Sequence, residues 1–176
     1  TETMEVSQGK LCMGFVTPIT LRDPRFAAMQ VLNTILGGGM TSKLFMQVRE
    51  KESLCYDISS GYHGSKGILT VSAGMECSKK ELVQAEVLRQ LDACRQGQIT
   101  EGELKAAKEA ILSSLRATHD SPGAIEGYYA TGALSGMSMT PAQYMEKVEQ
   151  VTLQQVVDAA NTVKLHSSFF LKGVSA

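Results

Sequence analysis

The sequence has little of what several classes of protein need. Its 176 residues carry 17 Lys and Arg against 18 Asp and Glu, so there is no basic excess for general binding to nucleic acid. No apolar run reaches the roughly 18–20 residues that a membrane-spanning helix needs. Hydrophobic residues make up 43% of the chain and charged residues 20%, which excludes disorder of the whole chain.

Cysteine is also sparse and lacks the spacing of a metal or redox motif. The four cysteines, Cys12, Cys55, Cys77 and Cys94, include no CxxC pair, and the nearest two are 17 residues apart. Four cysteines allow three disulfide pairings, which the sequence alone does not exclude. A domain of this size needs no disulfides, however, so we expect reduced cysteines packed as small apolar side chains, in a cytoplasmic protein.

Histidine is too scattered to predict a metal site in this chain. His63, His119 and His166 lie far apart, and neither HExxH nor HxxEH occurs. A zinc site needs three or four ligands that the fold brings together, and these motifs are its usual sequence signal. We therefore expect no metal-binding residues in this domain.

Helix starts are the clearest local signals in the sequence. A Ser, Thr or Asp at the N-cap accepts a bond from a free backbone N–H, and proline fits the first helical position. A Glu or Gln three residues after the cap completes a reciprocal capping box. Apolar residues at helical spacing follow most of these signals. The predicted starts are Asp23-Pro24, Thr41-Ser42, Ser78 with Glu81, Thr100 with Glu103, Ser121-Pro122, Thr140-Pro141 and Thr152 with Gln155.

The glycine run Gly37–Gly39 has two interpretations. Together with the following Ser42 and Lys43, it looks at first like a phosphate-binding loop of a nucleotide-binding domain. The Walker pattern GxxxxGK[ST] requires a glycine directly before the lysine, and Ser42 stands there instead. We therefore favour a structural role, in which the glycines end the first helix with a left-handed cap and a short second helix follows over 42–51.

The strand pattern predicts an α+β domain. Strands are predicted over 10–17, 54–63, 67–75 and 166–172, and the turn at 64–66 makes the middle two an antiparallel hairpin. The order of helices and strands gives a two-layer sandwich, with a mostly antiparallel sheet covered on one face by helices. We assign 10–176 to this domain. Residues 1–9 are polar, and because the chain begins with Thr1 we expect them to be the remnant of an interdomain linker.

The segment from Arg49 to Tyr56 is the second place where chemistry is plausible. Arg49 is predicted on the last turn of the short helix, and Tyr56 opens the next strand after a brief turn. Both side chains could project over the same end of the sheet. They would offer a forked cation and a phenolic O–H to peptide carbonyls or to a developing oxyanion.

The stretch from Leu32 to Tyr56 resembles the insulinase/pitrilysin family of zinc metallopeptidases, which includes processing peptidases. It fits the long pattern L-G-G-G-x-[ST]-S-[KR]-L-F-x-x-V-R-E-[KR]-x-x-L-x-Y. The order of strands and helices agrees with one of the family's homologous domains over nearly the whole chain. The resemblance implies a LuxS/processing-peptidase-like fold and domains that pair around a chamber.

In this family the N-terminal type of domain carries HxxEH and a downstream Glu, which bind zinc and activate water. This chain lacks that motif and therefore resembles the C-terminal, non-zinc type. The resemblance implies that Arg49 and Tyr56, seven positions apart, hold the substrate backbone near the scissile bond. Cys55 and Asp57 depart from the family pattern, which more often has Ala or Gly and Ser beside the tyrosine.

Our leading hypothesis is a C-terminal substrate-binding domain of a zinc metalloendopeptidase. It would contain no zinc itself and would act on peptides with a separate zinc-binding domain or partner subunit, with a dimer as one possible arrangement. The alternative is a catalytically inactive structural or regulatory subunit, like the core subunits of a respiratory complex in the same family. The two hypotheses differ in whether the complete protein or its partner carries HxxEH.

Overall fold

The computed structural model describes residues 1–4 and 8–173, which form one sheet with helices packed on it. The sheet has the strand order β1-β5-β2-β4-β3. Its strands are β1, Glu2–Met4; β2, Gly9–Val16; β3, Asp57–His63; β4, Ile68–Met75; and β5, Lys164–Gly173. The α-helices are α1, Phe26–Leu36; α2, Lys80–Arg95; α3, Glu101–Thr118; α4, Pro122–Ser135; α5, Pro141–Glu149; and α6, Leu153–Thr162. A π-helix spans Leu44–Lys51, and a 3₁₀ turn spans Cys77–Lys79.

The sheet confirms the predicted α+β class. The pairs β2–β4, β2–β5 and β3–β4 are antiparallel, and β3 and β4 form the predicted hairpin, in which His63 pairs with Ile68. β1 pairs parallel to β5, with Glu2 beside Leu171. β1 lies within residues 1–9, for which we predicted a linker; residues 5–7 lie outside the described residues.

Buried and exposed side chains alternate along the strands, so the sheet has one face covered by helices and one open face. Leu11, Met13 and Phe15 of β2 are buried under the helices, as are Leu69 and Val71 of β4. The intervening residues Lys10, Cys12 and Ser72 are exposed on the other face. The expectation that all the cysteines pack in the core is therefore wrong for Cys12. Cys55 and Cys94 are buried, and Cys77 is half-buried.

Four of the predicted helix caps are confirmed. Thr100, Thr140 and Thr152 each form a capping box, and the hydroxyl of Ser121 accepts a bond from the Ala124 N–H. The prediction of a capping box at Ser78 is wrong, because a 3₁₀ turn occupies Cys77–Lys79 and α2 begins at Lys80 without a side-chain cap.

The start predicted at Asp23 is also displaced. The Asp23 carboxylate accepts from the backbone and the guanidinium of Arg25, and the Phe26 N–H bonds to the Asp23 carbonyl. These bonds form a separate turn, so α1 begins at Phe26. The first helix thus starts later than the Asp-Pro signal indicates.

Gly37 ends α1 for a different reason from the predicted one. Its φ is −156°, so the left-handed cap is wrong. Its carbonyl accepts from the Ser60 N–H at 2.9 Å, and a Cβ at position 37 would lie 2.7 Å from that nitrogen. Glycine is needed here because the end of α1 touches the edge of β3.

Candidate functional site

Arg49 is presented by the last turn of the π-helix. This helix buries Leu44 and Val48 and leaves Arg49 exposed. The guanidinium carbon of Arg49 lies 4.7 Å from the centroid of the Phe45 ring, and its Nε lies 3.7 Å from Glu50 Oε1. An aromatic ring attracts a cation that lies over its face, and this contact does not use the N–H groups of the guanidinium as hydrogen-bond donors. Arg49 therefore keeps a forked cation available at the surface.

Tyr56 stands directly before β3 with its side chain 50% exposed. Its N–H donates to the Gly74 carbonyl at 2.8 Å, which ties it to the end of β4. We predicted that the strand begins at residue 54, but it begins at Asp57. The reason is that the Leu54 N–H bonds back to the Val48 carbonyl of the π-helix, at 2.9 Å. The tyrosine ring is thus carried by a fixed backbone at the start of the strand.

The structure places the two predicted residues at the same end of the sheet, on either side of a short turn. Phe45, which packs under Arg49, also lines a shallow cavity of about 250 Å³ with Ile58 and Ser59 of β3. Ser60, the glycine run and Met40 also line this cavity. Arg49 is linked to the cavity through Phe45, and neither Arg49 nor Tyr56 lines it directly. A second cavity of about 320 Å³, between α1, α5 and α6, contains none of these residues.

The turn between Arg49 and Tyr56 is strained and anchored. Ser53 has a φ of +50°, the one positive value for a non-glycine among the described residues. Lys79 Nζ donates to the Ser53 carbonyl at 3.2 Å. The Glu52 carboxylate accepts from Gln47 Nε2 at 2.9 Å and from Arg89 Nη2 at 3.3 Å. Strain that persists in this way is often found at functional sites, where the surroundings hold it.

Glu86 of α2 is the buried anchor of this arrangement. Its side chain is only 9% exposed and accepts two bonds from Arg89, at 2.7 and 2.6 Å, and one from Gln90, at 2.7 Å. Burial raises the pKa of Glu86, but the hydrogen bonds from Arg89 and Gln90 outweigh burial, so the pKa lies below its ordinary value. A negatively charged Glu86 therefore fixes Arg89, which in turn reaches Glu52.

Sequence reasoning missed this anchor, although one signal was present. Glu86 stands on the buried face of α2 beside Val83 and Val87, where an apolar residue is expected. A charged residue at such a position must have partners to be tolerated. Those partners, Arg89 and Gln90, stand three and four residues later on the same helix.

Cys55 lies between the two exposed residues but is not a nucleophile in this structure. Burial raises the pKa of its thiol to about 11, with Asp57 adding to the rise and Arg49 and Lys79 opposing it. The thiol is therefore neutral near pH 7, and the thiolate is the reactive form. The cytoplasmic setting that we inferred from the cysteines stays a prediction.

Lys43, next to the glycine run, is already paired. Its Nζ lies 2.8 Å from Glu103 Oε1, and the same carboxylate group closes the capping box of Thr100 through its other oxygen. Lys43 is only 12% exposed. A lysine that is itself mostly buried and paired with a half-buried carboxylate is poorly placed to bind a phosphate, which favours a structural role for the glycines.

The donors for a metal ion are not brought together in the described part of the chain. No group of three or more His, Cys, Asp and Glu side chains there is placed to bind a metal. His63, His119 and His166 are each exposed and belong to different elements. These three histidines therefore do not form a zinc site within the described residues. No described helix is both long and apolar enough to cross a membrane.

Comparison with known proteins places this chain in a family. Residues 1–111 match the family model described as "Peptidase M16 inactive domain". "Probable inactive metalloprotease YmfF" of Bacillus subtilis (strain 168) is 31% identical over 169 residues, which are 96% of this chain and 40% of that protein. "Uncharacterized zinc protease YmxG" of the same organism is 29% identical, over 94% of this chain and 38% of that protein. The chain thus spans about two fifths of the length of these relatives.

Solved structures agree on the fold. A conserved protein from Enterococcus faecalis V583 superposes with a TM-score of 0.92 at 31% identity, over 98% of this chain and 41% of that chain. The peptidase M16 inactive domain from Pseudomonas fluorescens superposes with a TM-score of 0.83 at 22% identity, over 99% of this chain and 43% of that chain. In both cases the similar region is less than half of the other chain.

Proposed function

The chain belongs to the peptidase M16 family as an inactive domain, and from this premise we propose that it is the substrate-holding half of a zinc metalloendopeptidase. One observation carries the proposal. Arg49 and Tyr56, which match the family motif, are both exposed at one end of the sheet on either side of an anchored turn. The domain would act with a zinc-type domain or partner subunit, on peptides enclosed between the two.

In this proposal Arg49 binds a backbone carbonyl of the substrate. Its guanidinium is permanently charged and offers several N–H donors, and stacking on Phe45 limits its freedom before substrate binds. A donor that is already oriented loses less entropy on binding. Arg49 therefore aligns the extended peptide beside the cavity formed by the glycine run and β3.

Tyr56 would act on the scissile carbonyl itself. As water adds to that carbonyl, negative charge develops on its oxygen, and a fixed O–H donor stabilises the transition state more than the ground state. The backbone bond from Tyr56 to Gly74 fixes the base of the ring for this purpose. Zinc held by HxxEH and a downstream Glu in the other domain would supply the activated water.

The substitution Tyr56→Phe in the complete protein tests this role. It removes one hydroxyl from a half-exposed ring, so the thermal unfolding midpoint should stay unchanged. Turnover of a peptide substrate should fall by about 10²–10³, the effect of losing one oxyanion donor. Unchanged turnover would contradict the role of Tyr56 as a donor to the scissile carbonyl.

A non-catalytic subunit is the second candidate function. It is favoured by the name of a relative that is 31% identical, "Probable inactive metalloprotease YmfF". In that case the same fold would serve as a pairing platform, with Arg49 and Tyr56 unused. The two candidates differ in the zinc content and the peptide turnover of the complete protein.

A further inference from the structure

Helix α4 is apolar on all sides, yet it lies mostly in solvent. Glu126 is its only charged residue. Tyr129 is 50% exposed and Leu134 is 88% exposed, while Gly132 is buried. The helix packs against α3. A helix without a polar face is normally buried, and exposed apolar surface of this kind marks an interaction site.

Gly123 and Gly127 of α4 have no structural explanation within the domain. By contrast, Gly132 is required because a Cβ there would lie 2.9 Å from the Met137 carbonyl oxygen. Gly136, which caps the end of α4, has a φ of +74°. A Cβ at Gly123 or Gly127 would meet nothing within 4 Å. A glycine inside a helix costs roughly 0.5–1 kcal/mol relative to alanine. Because they are four residues apart, Gly123 and Gly127 share one face, which another backbone could approach closely.

The size of this surface indicates what kind of partner covers it. A helix of 14 residues is about 21 Å long and about 10 Å wide, so it presents a few hundred Å². Complexes between separate proteins bury about 800 Å² on each side, whereas contacts between domains of one chain are often smaller. The two Bacillus relatives extend well beyond the shared region, which is 40% and 38% of their length. A tethered domain is therefore a better fit than a second copy.

We propose that α4 is the contact surface for the zinc-type domain of the longer protein, with Gly123 and Gly127 as the line of closest approach. This inference takes its partner from the proposed function. The surface is separate from the substrate site. Arg22 Nε donates to the Ser135 carbonyl at 2.9 Å, and Leu134 lies near Gly64 of the hairpin turn. The hairpin turn is at the opposite end of β3 from Tyr56.

Hydrogen exchange of the complete protein, followed by mass spectrometry, tests the surface. Peptides covering 122–135 should exchange at least tenfold more slowly than expected for an exposed helix, and at the same rate at every protein concentration. Gly127→Leu should abolish this protection, although leucine favours the helix itself. Gly102→Leu, at an exposed glycine of α3, is the matched control and should leave the protection of 122–135 unchanged.

Three results would overturn the inference. The first is fast exchange of 122–135 in the complete monomeric protein. The second is protection that rises with protein concentration, which would mean that a second copy covers the helix. The third is protection that appears only when anionic phospholipid vesicles are added. The readout is independent of the Tyr56→Phe test. Protected α4 with unchanged turnover would contradict the catalytic role but leave the surface standing, whereas unprotected α4 with lowered turnover would contradict the surface alone.

Discussion

Arg49 shows at the scale of one residue how the fold can hold an exposed cation in one orientation. The Phe45 ring lies under its guanidinium, and Glu50 approaches its Nε at 3.7 Å. Both contacts leave the terminal N–H groups free for a ligand. This combination needs a planar guanidinium, because an ammonium group neither stacks on the ring in the same way nor binds a carbonyl with a fork.

The substitution Arg49→Lys should therefore weaken substrate binding although the charge is kept. We expect kcat/KM of the complete protein to fall about tenfold, mostly through KM, which corresponds to about 1.4 kcal/mol. Arg116→Lys is the matched control, since Arg116 is an exposed arginine of α3 with only a distant partner, Glu109, at 3.7 Å. An equal effect of the two substitutions would mean that Arg49 does not contact substrate.

At the scale of elements, the relation between Arg49 and Tyr56 depends on α2. Glu86 fixes Arg89, and Arg89 reaches Glu52 in the turn that joins the π-helix to β3. Lys79, just before α2, binds the same turn at the Ser53 carbonyl. The helix thus acts as a brace that holds the strained turn, and through it the spacing of Arg49 and Tyr56.

Glu86→Gln should loosen this brace while leaving the side chains of Arg49 and Tyr56 themselves unchanged. The amide keeps one acceptor but loses the charge that attracts Arg89, so we expect KM for peptide to rise several-fold with a smaller change in kcat. Glu109→Gln, at an exposed carboxylate of α3, is the control. A change in unfolding midpoint with KM unaltered would show that Glu86 acts on stability alone.

The elements also show what the sequence could and could not predict. Thr100, Thr140 and Thr152 were predictable as caps because a capping box depends on residues only three apart. The π-helix was not, since its local pattern is that of a short α-helix and its end is set by the bond from Leu54 to Val48. The pairing of β1 with β5 joins the two ends of the described chain, and no local pattern encodes it.

For the candidate site as well, some features were predictable from the sequence and others were not. The position of Arg49 and Tyr56 on either side of a short turn before β3 was predictable from the order of helices and strands, whereas their role in binding stays a prediction. The requirement for glycine at position 37 was assigned to the wrong cause, because the contact with Ser60 joins elements that are distant in sequence. Tertiary contacts of this kind decide the geometry of the site.

At the scale of the whole molecule, the proposed function assigns to this domain half of what a peptidase needs. The domain exposes a cation and a phenol near a shallow cavity, while the described residues provide no set of metal ligands. An exposed apolar helix at the far end of the sheet is available for another domain. In the proposed function the chemistry is divided between two domains, with zinc and water in one and the substrate backbone held by the other.

The most direct test of that division measures zinc content and peptide turnover on the same sample of the complete protein. The account predicts that Arg49→Lys/Tyr56→Phe retains the zinc of the unmodified protein but loses turnover by at least about 10². Zinc that is lost together with turnover, or turnover that survives both substitutions, would contradict it.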